Sequence, residues 1–446
     1  MEKELTFAAL DRFEARFDRD AAAQVAMNAV VKSGLSAAAS RYDMPRALPM
    51  TFSVEVEPSG KILNQKSSGR CWMFAALNTM RSAAMKNLNL EDIEFSQAYP
   101  LFFDKLERTN YFLESILSTL DEPLDGRLVS FLLSMPLGDG GQWDMFASIV
   151  EKYGVAPKSL MPESFHSSNT REMNKFLTLK LREFACALRT AHAAGESEEA
   201  LRARKEEMLS TVYHMLCVFL GKPPKTVLFE ARDKDKKFLR IGPMSPVEFF
   251  KKAVGWDLSD YVSLIHAPTA DKPFHRTYTV AHLGNVAGGR PVTYLNVELS
   301  ELKQAVVAQL QGGEPVWFGC DVGQWLDRSY GAMTLSGHDY EGALGTAFPL
   351  DKAQRLDYGE SSMTHAMVFY GVNLDETGRP NRWKVENSWG DKAGQEGWYV
   401  MEDAWFDQYL YQALIHKKYL SPWLVSQFEQ EPIVLAPWDP MGALAR

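Results

Sequence analysis

The sequence predicts an α+β fold in which a helical half and a strand-rich half meet at a cleft. Three observations carry that expectation. Up to about residue 285, apolar residues recur mostly at helical spacing. From residue 290 the runs PVTYLNVEL, PVWFGCDV, HAMVFYGVN, RWKVENSW and GWYVMED are short, rich in β-branched and aromatic residues and separated by turn residues, as in an antiparallel sheet or barrel. Finally, Gln65 and Cys71 fall in the first half and His365 and Asn387 in the second, so the parts of one thiol-based site are divided between the two.

The elements follow in order. MEKELTFAALDRFEARFDRD alternates charged and apolar residues and reads as an amphipathic helix, opening a helical stretch over residues 1–45. Pro49, Pro58 and Gly60 make 46–70 an extended lead-in. WMFAALNTMRSAAMK (72–86) is rich in Ala, Met and Leu, good helix formers. Residues 95–120 are a second helix with Ser96 placed to cap it. Glycines make 137–143 a loop, and the helix that resumes at GQWDMF stops at Gly154. Leu177, Leu181, Phe184 and Leu188, then Met208, Val212, Met215 and Phe219, form the facing seams of an α-hairpin. Ser197 in its AAGESEE turn caps the second helix. The hairpin packs either on its own chain or on a neighbouring subunit. Residues 299–313 are a helix among the strands.

Composition narrows the class. The 446 residues carry a formal net charge of −9, which argues against a generally basic, nucleic-acid-binding surface. No apolar run of about 18 residues occurs, so no spanning helix is expected. The charged N-terminus is unlike a signal peptide. The four cysteines, Cys71, Cys186, Cys217 and Cys320, form no disulfide framework and no CxxC pair. Together these features predict a cytoplasmic protein, with Cys186, Cys217 and Cys320 as small buried side chains. No GxxxxGK[ST] motif or strand-GxGxxG-helix context supports nucleotide binding. His338, with Asp339 and Glu341 nearby, lacks a second clustered His and reads as a solvated loop rather than a metal site. Asp321 reads as a strand end. No metal or organic cofactor is expected.

The thiol site has a physical logic. A nucleophilic Cys must be held as thiolate by a nearby cation or a helix N-terminus. Cys71 opens the 72–86 helix, where unpaired backbone N–H groups favour negative sulfur. His365 is the candidate base and cation, and Asn387 the residue that orients it. Gln65, six residues before Cys71 on the loop into the helix, is positioned to donate its amide N–H, with the Cys71 N–H, to a developing oxyanion. Trp389 in NSWG is expected to shield the His365–Asn387 contact from water.

SSGRCWMFAALN, DGGQWDM, THAMVFYGVN, WKVENSWG and the terminal PWDPMGALA resemble the cytosolic branch of the papain-like cysteine peptidases, the bleomycin hydrolase and aminopeptidase C family. The likeness spans nearly the whole chain. It departs from the secreted C-G-[SA]-C-[WY] pattern, since Ser68 replaces the upstream Cys. His365 follows Cys71 by about 290 residues, against about 130–150 in that pattern, so roughly 150 residues are inserted.

The resemblance implies a papain-like two-lobed core. Residues 46–164 would form the helical lobe with Cys71, and 286–430 the β lobe with His365 and Asn387. A mainly helical insertion at 165–285 would serve oligomer contacts, and 431–446 would be an arm in the active-site cleft. It implies a cysteine aminopeptidase acting on peptides with a free N-terminus, with bleomycin-like amides as further substrates, assembled as a homohexamer. Gly140 and Gly141 would bind substrate main chain, a reading preferred here over a simple glycine turn. Ala445 would lie at the substrate ammonium, with Arg446 as a residue to be trimmed. Two alternatives remain at this point: an endopeptidase with an open cleft, and a nucleic-acid-binding protein without enzymatic activity.

Overall fold

Apolar side chains on every face of a helix require burial all round. The helix Cys71–Asn87 meets that requirement, packed among the strand His365–Leu374 and the helices Trp143–Tyr153 and Pro246–Ala253. The structure, a computed structural model, describes residues 3–43 and 48–445.

N-terminal to that helix, Phe7–Asp18 and Ala21–Ser33 are capped by the side chains of Thr6 and Asp20, and neither helix buries a residue. The second large helix, Ala98–Leu117, starts as expected: Ser96 Oγ accepts the Tyr99 N–H at 3.0 Å. Trp143–Tyr153 ends at Gly154, whose φ of 72° and close approach to the Pro246 backbone both demand glycine. The hairpin Arg171–Ala193 and Glu198–Leu220 forms with Ser197 as its cap. Its second seam differs by one position from the expected one. Met208, Val212, Leu216 and Leu220 are buried, whereas Met215 and Phe219 sit at its margin. A straight pair of packed helices accepts steps of four as readily as alternating threes and fours. The hairpin packs on Ala98–Leu117 of its own chain, with Arg202 and Lys205 both paired to Glu114.

The strands form a 12-stranded sheet among the described residues. Its centre runs Tyr261–Ile265, Leu410–His416, Val316–Cys320, His365–Leu374, Pro380–Glu386, Trp398–Glu402. Helix Leu299–Gln311 packs on it. Two expectations are corrected here. The sheet is mixed, because Val400 pairs with Ala332, Leu264 with Leu295 and Ile433 with Tyr278 in parallel. The stretch 165–285 also supplies strands: a separate hairpin, Val227–Arg232 with Phe238–Met244, and Tyr261–Ile265 and Arg276–Val280 in the main sheet. Tyr261–Ile265 is buried at every residue, so it shows no alternation by which to recognise a strand. No helix among the described residues is long and apolar enough to cross a membrane.

Candidate active site

The nucleophile and base candidates come together at the contact between the Cys71 helix and the central strands. Cys71 is the first residue of its helix, and the N–H groups of Ala366, Trp72 and Cys71 itself point at its sulfur. Ala366 follows His365, the first residue of its strand, so the sulfur sits at the strand end that carries the imidazole. His365 Nε2 lies 2.9 Å from Asn387 Oδ1. The Trp389 ring covers the imidazole at 5.0 Å between centroids, and the Arg328 guanidinium lies 4.8 Å over Trp389. The shielding expected of Trp389 is present.

The electrostatics correct one expectation. Burial pushes the Cys71 thiol up to about 11, against the pull of the three N–H groups. Burial likewise pushes His365 down to about 4, although Asn387 favours its charged form. The closed site thus disfavours a lone thiolate or a lone imidazolium, and the helix start alone does not hold the sulfur ionised.

Gln65 is buried and bound on both sides. Its Nε2 donates to Ser68 O at 2.6 Å, and its Oε1 accepts from Ser388 Oγ at 2.6 Å. An amide nitrogen carries two hydrogens, so one N–H remains for another acceptor. The backbone continues the link: Gln65 N–H donates to Ser388 O at 2.8 Å and Gly390 N–H to Leu63 O at 3.0 Å. Gln65 and Asn387 therefore belong to one small ladder.

Gly141 lies against Trp72, the residue after Cys71. A Cβ on Gly141 would sit 2.5 Å from the Trp72 ring, so close backbone approach, rather than a left-handed turn, requires this glycine. Asp139 fixes the loop. Its carbonyl accepts from Trp72 Nε1 at 2.7 Å, and its carboxylate takes Lys105 Nζ at 2.6 Å, Asn174 Nδ2 at 2.7 Å and the Gly69 N–H at 3.1 Å. Burial would raise this carboxyl, but Lys105, Thr170 and Asn174 hold it well below the usual carboxylate range.

The C-terminal arm is described up to Ala445. Met441, Leu444 and Ala445 are buried in the 3-10 turn Pro440–Ala445. Tyr294 OH donates to Met441 O at 3.1 Å, and Asp439 pairs with Lys272 at 2.9 Å. Leu444 Cδ2 lies 3.6 Å from the place a Gly319 Cβ would occupy, and Gly319 is the cross-strand partner of Ala366. The arm thus reaches the strand paired with the one that carries His365. Arg446 lies outside the described residues.

Several supporting residues escaped the sequence reading. Asn78 and Arg81, on the Cys71 helix, both reach Glu386, the residue before Asn387, at 2.5 and 3.1 Å. Asp321 accepts from Ser361 and Thr364, just before His365, at 2.9 and 3.1 Å. A polar residue inside an otherwise apolar helix was the available signal for Asn78 and Arg81; Asp321 offered none. Other expectations are corrected. Cys186 is exposed and Cys217 half-buried, because they lie off the hairpin seam; Cys320 alone of the three is buried. His338 is buried, with Nε2 3.2 Å from Ser36 Oγ and its ring stacked on Tyr340, because an N-terminal helix covers the loop. Asp339 caps a short helix and Glu341 accepts the Phe348 N–H. No group of three His, Cys, Asp or Glu among the described residues could hold a metal.

The peptidase C1-like family profile matches residues 4–442. The chain belongs to the peptidase C1-like family. Aminopeptidase C of Listeria monocytogenes is 47% identical over 445 residues, covering 100% of both chains. Human bleomycin hydrolase is 44% identical over 402 residues, covering 88% of each. The crystal structure of PepW from Lactobacillus rhamnosis superimposes with a TM-score of 0.97 at 48% identity, covering 99% of each chain. The α+β fold is that of this family member, and the chain is a cysteine peptidase.

Proposed function

We propose that the chain is a cysteine aminopeptidase in which Cys71, His365, Asn387 and Gln65 perform the chemistry and the C-terminal arm limits the cleft to free N-termini. The observation that carries this reading is the convergence of Cys71, the His365–Asn387 pair and the buried arm on one strand end. Nε2–H of His365 donates to Asn387 Oδ1, which leaves Nδ1 as the basic nitrogen. Sulfur gives its proton to the imidazole as it attacks the first peptide carbonyl, so the two charges arise together and each offsets the desolvation of the other. The oxyanion takes the free Gln65 N–H and the Cys71 N–H. Imidazolium protonates the leaving amine, and the resulting thioester is hydrolysed by water that His365 deprotonates. Gly140 and Gly141 offer close-lying backbone to the substrate chain.

The dyad, holding one proton between about 4 and about 11, should keep kcat/KM flat across neutral pH. The rate should rise as pH climbs through about 4 and fall only on the alkaline side. A pH–rate profile whose acid limb lies near 6.5, the ordinary histidine value, would contradict the burial argument.

The arm, through the Ala445 end once Arg446 is removed, would present a carboxylate to the substrate ammonium and exclude longer N-terminal extensions. Deleting residues 437–446 should raise hydrolysis of acetylated peptides relative to free ones. Intact mass would report loss of Arg446. Equal rejection of acetylated peptides by the truncated and full chains would remove the arm as gate and favour the open-cleft reading. Assembly as a homohexamer fits the N-terminal helices that bury nothing within the chain and expose Phe7, Phe13 and Val31. The cytoplasm, with its reducing conditions, suits an unpaired catalytic thiol. Bleomycin-like amides would enter as free-amine substrates.

A further inference from the structure

Arg108 lies in the helix Ala98–Leu117, and its side chain is 8% exposed. A buried guanidinium must place its donors in a fixed fork. Its Nε bonds both carboxylate oxygens of Asp104 at 2.9 Å, one turn earlier, which neutralises it. Asp104 is held in turn by Asn285 Nδ2 at 2.9 Å. That leaves the terminal nitrogens for partners outside the helix. Nη2 donates to Gly140 O, and Nη1 lies 3.4 Å from Ala445 O. The guanidinium also sits 5.7 Å over the ring of Trp72, the neighbour of Cys71. One cation therefore touches the glycine loop, the residue after the nucleophile and the end of the arm. Tyr294 and Gln142 hold the arm earlier, at the Met441 carbonyl.

A buried ion pair adds little net stability, and its attested use is to specify one arrangement over others. We propose that Arg108 is a positioning residue that latches the end of the arm to the Gly140–Gly141 loop, and thereby sets how far a substrate can extend beyond its scissile bond on the N-terminal side. The proposal rests on the gating role of the arm given above.

The test uses Arg108→Met and Arg108→Lys in the full chain and in the chain lacking 437–446. The lysine variant keeps a charge beside Asp104 but has no fork to bridge two carbonyls, so it carries the test if the methionine variant does not fold. In the full chain each change should raise the acetylated-to-free ratio of kcat/KM by about tenfold, the scale of losing a hydrogen bond from a charged donor. The KM for free peptides should rise more than kcat falls, and amide hydrogen exchange in 436–445 should accelerate. In the truncated chain the same change should leave the ratio unmoved. If truncation raises the ratio but Arg108→Lys does not, the latch is overturned while the gate stands. An equal shift in both backgrounds also overturns the latch, since Arg108 would then act without the arm. If truncation leaves the ratio unchanged, the gate fails and takes the latch with it.

Discussion

Cys71→Ala should lower turnover roughly a millionfold, to background, because on the catalytic assignment above the acyl intermediate forms on its sulfur. The fold should survive. Cys71 is buried at the first position of a helix, and loss of one sulfur atom there leaves a small void worth about 1 kcal/mol. Steady-state kinetics on a free dipeptide amide, with circular dichroism as the control, would check it. More than trace activity in a folded variant would exclude Cys71 as the nucleophile. Simple alkylation is a poor probe of this site. Cys186 is exposed, while Cys71 is buried with its thiol pushed up. A reagent shaped like a substrate, able to enter the cleft, is needed to favour Cys71.

Arg81→Met should be among the most destabilising single changes, costing about 3–5 kcal/mol, because it strands a buried carboxylate. Arg81 and Glu386 are each 1% exposed at the side chain. Burial already pushes Glu386 up to about 7, against the pull of Arg81, Tyr370 and Asn78. Without Arg81 that value rises further. A carboxyl raised in the folded state favours folding below its unfolded value and loses that contribution as pH climbs through the folded value. The deficit of the variant should therefore be small near pH 5 and grow towards pH 8, as read from urea midpoints. Adding Glu386→Gln should recover part of it. A deficit that is the same at both pH values would show that Glu386 is not ionised in the native protein.

The sequence displayed the candidate reacting groups better than it displayed what holds them. Cys71 and Asn387 were legible because each lies in a run of local context, GRCWMF and VENSWG, that can be read without knowing the fold. The helix stops at Gly154 and the caps at Ser96 and Ser197 were legible for the same reason: their chemistry is local. Asp321, Glu386 and Arg108 act across separations that no local pattern encodes. The strand Tyr261–Ile265 was hidden by complete burial, which erases the period-two signal. The protonation states were also hidden. A helix N-terminus can be read from sequence, but the desolvation that outweighs it at Cys71 exists only after both halves have closed over the sulfur.

The ladder that ties Gln65 to Ser388 and Gly390 to Leu63 has a bearing on biosynthesis. The thiol helix is made early, but its ladder partner and its base are the work of the last quarter of translation. Until residue 365 has left the ribosome, the emerging polypeptide holds a cysteine without its base, and until residue 390 its oxyanion donor is not fully anchored. On the catalytic assignment above, a nascent peptidase of this design is harmless to its neighbours on the polysome, and a chain terminated before His365 stays inert.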